Sequence, residues 1–123
     1  MEDTELFSAV GGEAPFYTLV DNFYHGVEGD APLRALYPVD LAPGKLHLTL
    51  FLIQRFGGPT HYDERRGHPR LRRRHMGFEI GQSTRDAWIR HMRAAVQATP
   101  AFAPHEEVVM AYFEDAATFL INR

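Results

Sequence analysis

The stretch GGPTHYDERRGHPRLRRRH, residues 57–75, decides how this chain is read. It opens on the helix-stopping Gly57-Gly58-Pro59, crosses a polar run to Gly67, and closes on an arginine-rich segment ending at His75. It holds Arg65, Arg66, Arg70, Arg72, Arg73 and Arg74, together with His61, His68 and His75. Residues 57–67 read as a glycine-bearing loop, and His68-Pro69 as the opening of a short basic helix that ends near His75. A loop of that length without secondary structure is usually functional or disordered.

On both sides of this stretch the chain reads as helix, with no strand-like alternation, no repeat and no low-complexity segment. A short helix over Thr4 to Val10 ends at Gly11-Gly12. Phe16, Leu19, Val20, Phe23, Tyr24 and Val27 follow the spacing of one buried helix face, with Pro15 in the first turn and Gly29 as the stop. Asp30 caps a short turn that ends near Tyr37-Pro38. A helix from Pro43 to Phe56 carries a buried stripe of Leu48, Phe51, Leu52 and Phe56. Beyond His75, Ser83 and Asp86 suggest a capping box, followed by a face of Ala87, Trp88, Met92, Ala95 and Val96. The last helix follows Pro104 and buries Val108, Val109, Tyr112, Phe113, Ala116 and Leu120. The fold class is all-α, with four substantial amphipathic helices around one core and the 57–75 stretch as the part that fits no plain bundle.

The 123 residues suit a single domain spanning 1–123, and 45% hydrophobic residues suffice for a core. No apolar stretch reaches membrane-span length. The acidic N-terminus lacks the basic region of a signal peptide, so the expected location is cytoplasmic. The net charge of −3 argues against a nucleic-acid binder. The chain has no cysteine, which excludes disulfides, thiolate metal sites and covalent haem attachment through a CxxCH motif.

Three readings of the 57–75 stretch compete. The arginines form a solvated basic face, or a nucleic-acid contact, the latter disfavoured by the acidic balance of the rest. Alternatively His61, His68 and His75, spaced every seven residues, hold a metal; but the glycines and Pro69 interrupt any common helix face, and no carboxylate stands at a ligand spacing. In the third reading, one imidazole at the end of a short helix ligates a haem iron, with arginines near the propionates and the aromatic helices forming an apolar slot. This reading accounts for the histidine and the arginines with one ligand.

The chain closely resembles the group II truncated haemoglobins, the bacterial two-on-two globins. The matching residues are Ala9-Val10-Gly11-Gly12, Phe23-Tyr24, Leu36-Tyr37-Pro38, Phe51-Leu52, Gly57-Gly58-Pro59, Tyr62, Arg66-Gly67-His68-Pro69, Leu71-Arg72, Arg74-His75 and Arg85-Asp86-Ala87-Trp88, in that order over nearly the whole chain. The resemblance implies a two-over-two helical sandwich enclosing a non-covalent haem b, with His75 as the proximal iron ligand. It implies a distal ligand pocket of Tyr24, Tyr37, Trp88, Gly44 and Leu48. It implies haem packing or propionate contacts from Phe51, Tyr62, His68, Leu71, Arg72 and Phe78. Without it, Tyr24 and Trp88 read as core residues, Tyr37 as a helix-end residue, and His25, His91 and His105 as surface.

The implied ligands are oxygen, carbon monoxide, nitric oxide and peroxide. Hydrogen bonds from Tyr24 and Trp88 to a partly charged ligand contribute about 1.5–3 kcal/mol each, about tenfold or more in escape rate. Tight oxygen binding follows, and with it nitric-oxide dioxygenase or peroxidase-like chemistry rather than bulk oxygen transport. Gas sensing or storage, and a basic-loop module without cofactor, are the alternatives; a reductase and a dimer are left open. Several positions depart from the family pattern: Gly44 is smaller than the usual alanine, His47 replaces a frequent arginine, and Phe56 replaces a frequent tryptophan. The small Gly44 suggests a widened route into the distal pocket.

Overall fold

The computed structural model describes residues 1–70, 75 and 80–122. The chain enters through a 3-10 turn, Asp3–Glu5, that continues into α1, Leu6–Ala9. Leu6 is fully buried, and α1 is capped by Val10 just before the Gly11-Gly12 pair expected to stop it. The turn is held from far along the chain. The Phe7 amide donates to the Phe56 carbonyl at 2.9 Å, and Arg55 reaches Asp3 at 2.9 Å. Gly57 makes that approach possible. It has φ +101°, and a Cβ there would overlap the Thr4 carbonyl oxygen.

The next helix, α2, runs Ala14–Glu28 with Pro15 in its first turn, and all six residues of its expected stripe are buried. Gly29 follows as its C-cap. Asp30 then caps α3, Ala31–Arg34, by accepting from the Leu33 amide at 3.4 Å. The same carboxylate accepts from His91 Nε2 at 2.7 Å and pairs with Arg90 at 3.2 Å. His91 is therefore not the surface histidine expected from its polar context. The His91 hydrogen bond, chiefly, holds the Asp30 carboxyl below its ordinary value, aided by the Leu33 amide and the nearby positive charge and opposed by desolvation.

Then comes α4, Ala42–Arg55. It buries Thr49, Leu50, Leu52 and Ile53 and leads into the buried Phe56, while Leu48 and Phe51 are only half-buried. The buried face is thus rotated from the expected stripe, because α4 packs against α2 on one face and looks into a cavity on another. The buried Thr49 hydroxyl donates to the Lys45 carbonyl at 2.7 Å, as a hydroxyl in an apolar setting must.

The 57–67 segment is not wholly loop, since α5 occupies His61–Arg66. It has no apolar period to announce it. Asp63 and Glu64 in its first turn and Arg65 and Arg66 in its last complement the helix dipole. Gln54 Oε1 takes the Asp63 amide at 3.0 Å, and Tyr62 packs edge-on to Phe51 with ring centres 5.4 Å apart.

Beyond the 57–75 stretch, α6 runs Gln82–Ala98. The expected Ser83/Asp86 capping box is absent. The N-cap is Gly81, and Asp86 accepts instead from Gln82 at 2.8 Å and Arg85 at 3.3 Å. Its buried residues are Ile89, Met92, Ala95 and Val96, with Ala87 and Trp88 half-buried. A 3-10 turn, Ala103–His105, leads into α7, Glu106–Phe119, which buries Val109, Met110, Phe113 and Ala117. The expected Val108, Tyr112, Ala116 and Leu120 are half-buried, the last three because they face the same cavity as Leu48 and Phe51.

Among the described residues every regular element is helical. The central helix is α2, packed on α4 and α6, while α7 lies against α6. Fully buried phenylalanines tie these layers: Phe16 meets Phe102 edge-on at 5.1 Å, and Phe56 meets Phe113 at 6.1 Å. Edge-to-face pairs of this kind add about 0.5–1.5 kcal/mol beyond the area they bury. No helix among the described residues is long and apolar enough to cross a membrane.

Candidate functional site

Residues of α3, α4, α6 and α7, most of them half-buried, converge on a cavity of about 240 Å³. Leu33, Leu36, Tyr37 and Pro38 line it from α3 and its exit, Leu48, Phe51 and Leu52 from α4. Thr84, Arg85 and Trp88 line it from α6, and Tyr112, Phe113, Ala116, Ala117 and Leu120 from α7 and its end, with His75 and Ile80 completing the wall. A slot this apolar excludes competing water from whatever polar groups it contains.

Those polar groups are few and differently disposed. Arg85 is turned to structural use: its guanidinium donates to Thr118 Oγ1 at 3.2 Å and to the Glu114 carbonyl at 3.2 Å, fastening α6 to α7. His75 supplies the one imidazole among the described lining residues. Its carbonyl accepts from Asn122 Nδ2 at 3.4 Å. Asn122 also exchanges two 2.8 Å hydrogen bonds with Ile80: its amide donates to the Ile80 carbonyl, and its side-chain oxygen accepts from the Ile80 amide. The last described residue therefore fastens the chain at positions 75 and 80.

Tyr37 and Trp88 form the second polar feature. Trp88 sits beside the Tyr37 phenol and favours its charged form, and because an indole N–H can only donate, the Tyr37 oxygen is the acceptor side of the pair. The Tyr37 proton is left to point elsewhere. Burial pushes the Tyr37 phenol far above its ordinary value, so it stays a donor at any physiological pH. Tyr24 stands behind Tyr37 rather than in the lining, ring centres 5.6 Å apart and nearly perpendicular. Its phenol is pushed up to about 12 by burial, and no described residue hydrogen-bonds it. Phe23 braces both neighbours, meeting Tyr24 at 5.5 Å and Trp88 at 4.9 Å.

The structure thus brings His75, Tyr37, Trp88, Leu48 and Phe51 to one cavity. Tyr24 and Tyr62 stand one layer behind it, and Gly44 lies against the Tyr24 hydroxyl. His68 is exposed and away from the lining. Its Nδ1 accepts from the Arg70 amide at 3.0 Å, steadying the left-handed backbone of Arg70 (φ 46°). Leu71, Arg72 and Phe78, named as haem contacts, lie outside the described residues, as does most of the basic helix expected over 68–75. Arg66 reaches His47 Nδ1 at 2.7 Å. Among the described residues no three histidines or carboxylates gather as for a metal ion, and His61 is occupied with Glu64 at 3.2 Å. His61, His68 and His75 are not among any such group of described residues. Sequence reasoning missed Leu33, Leu36, Ile80, Thr84 and Tyr112 as lining residues. Tyr112 stood on a recognised stripe, but nothing in its spacing distinguishes a cavity face from a core face.

A flat, largely apolar macrocycle with one metal coordination position asks for an apolar slot and one imidazole, and these residues fit it. The bacterial-like globin family model matches residues 5–122. The chain belongs to the group II truncated haemoglobins. It is 34% identical over 112 residues to group 2 truncated hemoglobin YjbI of Bacillus subtilis, covering 91% of this chain and 85% of that one. Among solved structures it is similar to the hemoglobin of the thermophilic phototrophic bacterium Chloroflexus aurantiacus, with 52% identity and TM-score 0.92 over 96% of this chain and 98% of that one. It is also similar to the truncated oxygen-avid haemoglobin of Bacillus subtilis, with 33% identity and TM-score 0.89 over 95% and 98%. For this truncated haemoglobin, membership implies haem as the cofactor and oxygen as a ligand. The two-over-two sandwich expected from the sequence is the observed fold.

Proposed function

We propose that this truncated haemoglobin holds haem b non-covalently through His75, binds oxygen tightly, and uses it in redox chemistry with nitric oxide or peroxide rather than carrying it in bulk. The observation that carries this reading is the joint presence, in one apolar cavity, of His75 and a buried Tyr37 phenol beside the Trp88 indole. When bound, haem supplies the iron at which oxygen is held and electrons are exchanged.

The chain's own residues do the rest. His75 offers a neutral imidazole nitrogen to the metal. Leu48, Phe51 and Phe113 keep bulk water out of the cavity. The Tyr37 proton is the donor available to a small ligand with partial negative charge. In this reading Trp88 acts chiefly by orienting Tyr37, toward whose oxygen its single N–H donates. A donor held by its neighbours needs no reorganisation when the ligand charges, so the ligand leaves slowly. The oxygen-avid character named for the Bacillus subtilis protein supports the same expectation here. Continued turnover also requires an electron donor, a reductase of the cell.

The test is a stopped-flow mixture of the oxygen-saturated, reduced protein with nitric oxide in the presence of a reductant. Stoichiometric nitrate over many cycles supports turnover. Release of oxygen without nitrate overturns it in favour of storage or sensing. A purified protein without a Soret band and without haem uptake on titration overturns the haem reading itself.

A further inference from the structure

A notch on α4 lies against the Tyr24 hydroxyl. A Cβ built on Gly44 would stand 2.9 Å from that oxygen and 3.9 Å from its ring carbon, and would meet no other described atom within 4 Å. Real Cβ atoms do not approach so closely, so any side chain at position 44 must displace the phenol. The ring has little room to yield. Phe23 stands perpendicular to it at 5.5 Å, Tyr37 nearly so at 5.6 Å, and Lys45 Nζ lies 5.8 Å from its centre. Tyr24 is only 4% exposed, and no described residue hydrogen-bonds its hydroxyl. Its position is therefore set by packing.

We propose that Gly44 is a positioning residue whose missing Cβ is the seat of the Tyr24 hydroxyl. By letting Tyr24 lean into α4, Gly44 keeps the ring from pressing on Tyr37, and so keeps Tyr37 in place beside Trp88 at the ligand cavity. The seat itself stands on packing alone; its consequence for ligands rests on the haem reading above. This differs from a role in widening a ligand route, because it acts through one oxygen atom of one neighbour.

That oxygen can be removed. Gly44→Ala, Tyr24→Phe and the double variant form a cycle that isolates the contact. The haem-loaded proteins are compared by thermal midpoint, by the stretching frequency of bound carbon monoxide, and by its association rate. With Tyr24 present, Gly44→Ala lowers the midpoint by about 3–5 °C and shifts the stretching frequency by several wavenumbers. In the Tyr24→Phe background, the same substitution changes neither. Equal effects in both backgrounds, or none in either, overturn the proposal. Carbon monoxide association slowed equally in both backgrounds assigns Gly44 to a ligand route instead. The thermal cycle reads the seat even in protein that takes up no haem, so failure of the haem reading and failure of the seat are told apart.

Discussion

Two parts of the cavity wall are built by different physics. The part carrying Tyr37 and Trp88 is an aromatic cluster in which Phe23, Tyr24, Tyr37 and Trp88 brace one another from α2, α6 and the exit of α3. The part carrying His75 is a turn fastened by hydrogen bonds from Asn122, with Arg85 fastening α6 to α7 beside it. Packed aromatics resist displacement because each ring must move its neighbours. A hydrogen-bonded tie on the surface competes with water and yields at smaller cost. The difference suits the roles proposed for the two parts: the hydrogen-bonding wall needs fixed geometry, while the imidazole must accept and hold a large cofactor.

The largest effect is expected from the turn. His75→Ala removes the one imidazole among the described lining residues, so the Soret band of the purified protein should vanish. Free imidazole, filling the vacated space, should restore it. The aromatic part should remain folded in this variant, which thermal unfolding checks. Retained haem in His75→Ala would transfer the ligand role to another residue and dissolve the contrast.

How far the two parts were legible in the sequence follows the same division. The α2 stripe could be read in full, since Phe16, Leu19, Val20, Phe23, Tyr24 and Val27 repeat at the helical period on a helix packed from both sides. On α4 and α7 the period located the helices but not the rotation, because a face toward a cavity and a face toward a core are equally apolar. Leu48, Tyr112 and Leu120 accordingly turned out to be lining residues. Short α5 escaped notice because charge complementarity and a Gln54 contact stabilise it rather than a stripe. His75 emerged only through the ordered resemblance, since one histidine in an arginine run has no signature of its own. The pairing of Tyr37 with Trp88 joins residues 51 positions apart and left no local trace.

The next effect breaks the aromatic part directly. Phe23 is fully buried and touches both Tyr24 and Trp88. Phe23→Ala should cost about 3–5 kcal/mol of stability, measured by denaturant unfolding. The same variant should speed oxygen release, because Trp88 loses its brace. A cost under about 1 kcal/mol would mean that the cluster collapses into the cavity and is not rigid.

Tyr37 and Trp88 sharpen the comparison further, since removing one of them is not equivalent to removing the other. Tyr37→Phe deletes both the free proton and the acceptor for Trp88, and should raise the oxygen dissociation rate about tenfold or more. Trp88→Phe leaves the Tyr37 hydroxyl in place and loses only its orientation, so its effect should be smaller. The reverse order would make Trp88 the direct donor.

The smallest effect should come from the tie. Asn122→Ala removes the side-chain acceptor for the Ile80 amide and the donor to the His75 carbonyl, but leaves its own amide bonded to the Ile80 carbonyl. Each lost bond contributes about 0.5–1.5 kcal/mol at most, and solvent replaces much of that at an exposed residue. A few-fold faster loss of haem to an acceptor protein is therefore expected, with oxygen dissociation unchanged because the aromatic part is untouched. Asn122→Asp separates the two contacts: it keeps an oxygen for the Ile80 amide at 2.8 Å and gives up the 3.4 Å bond to His75. Wild-type haem retention in Asn122→Asp would locate the fastening at Ile80, where both bonds are short. Haem loss as fast as in Asn122→Ala would locate it at the His75 carbonyl. A change in oxygen dissociation in either variant would show that the two parts of the wall are mechanically one.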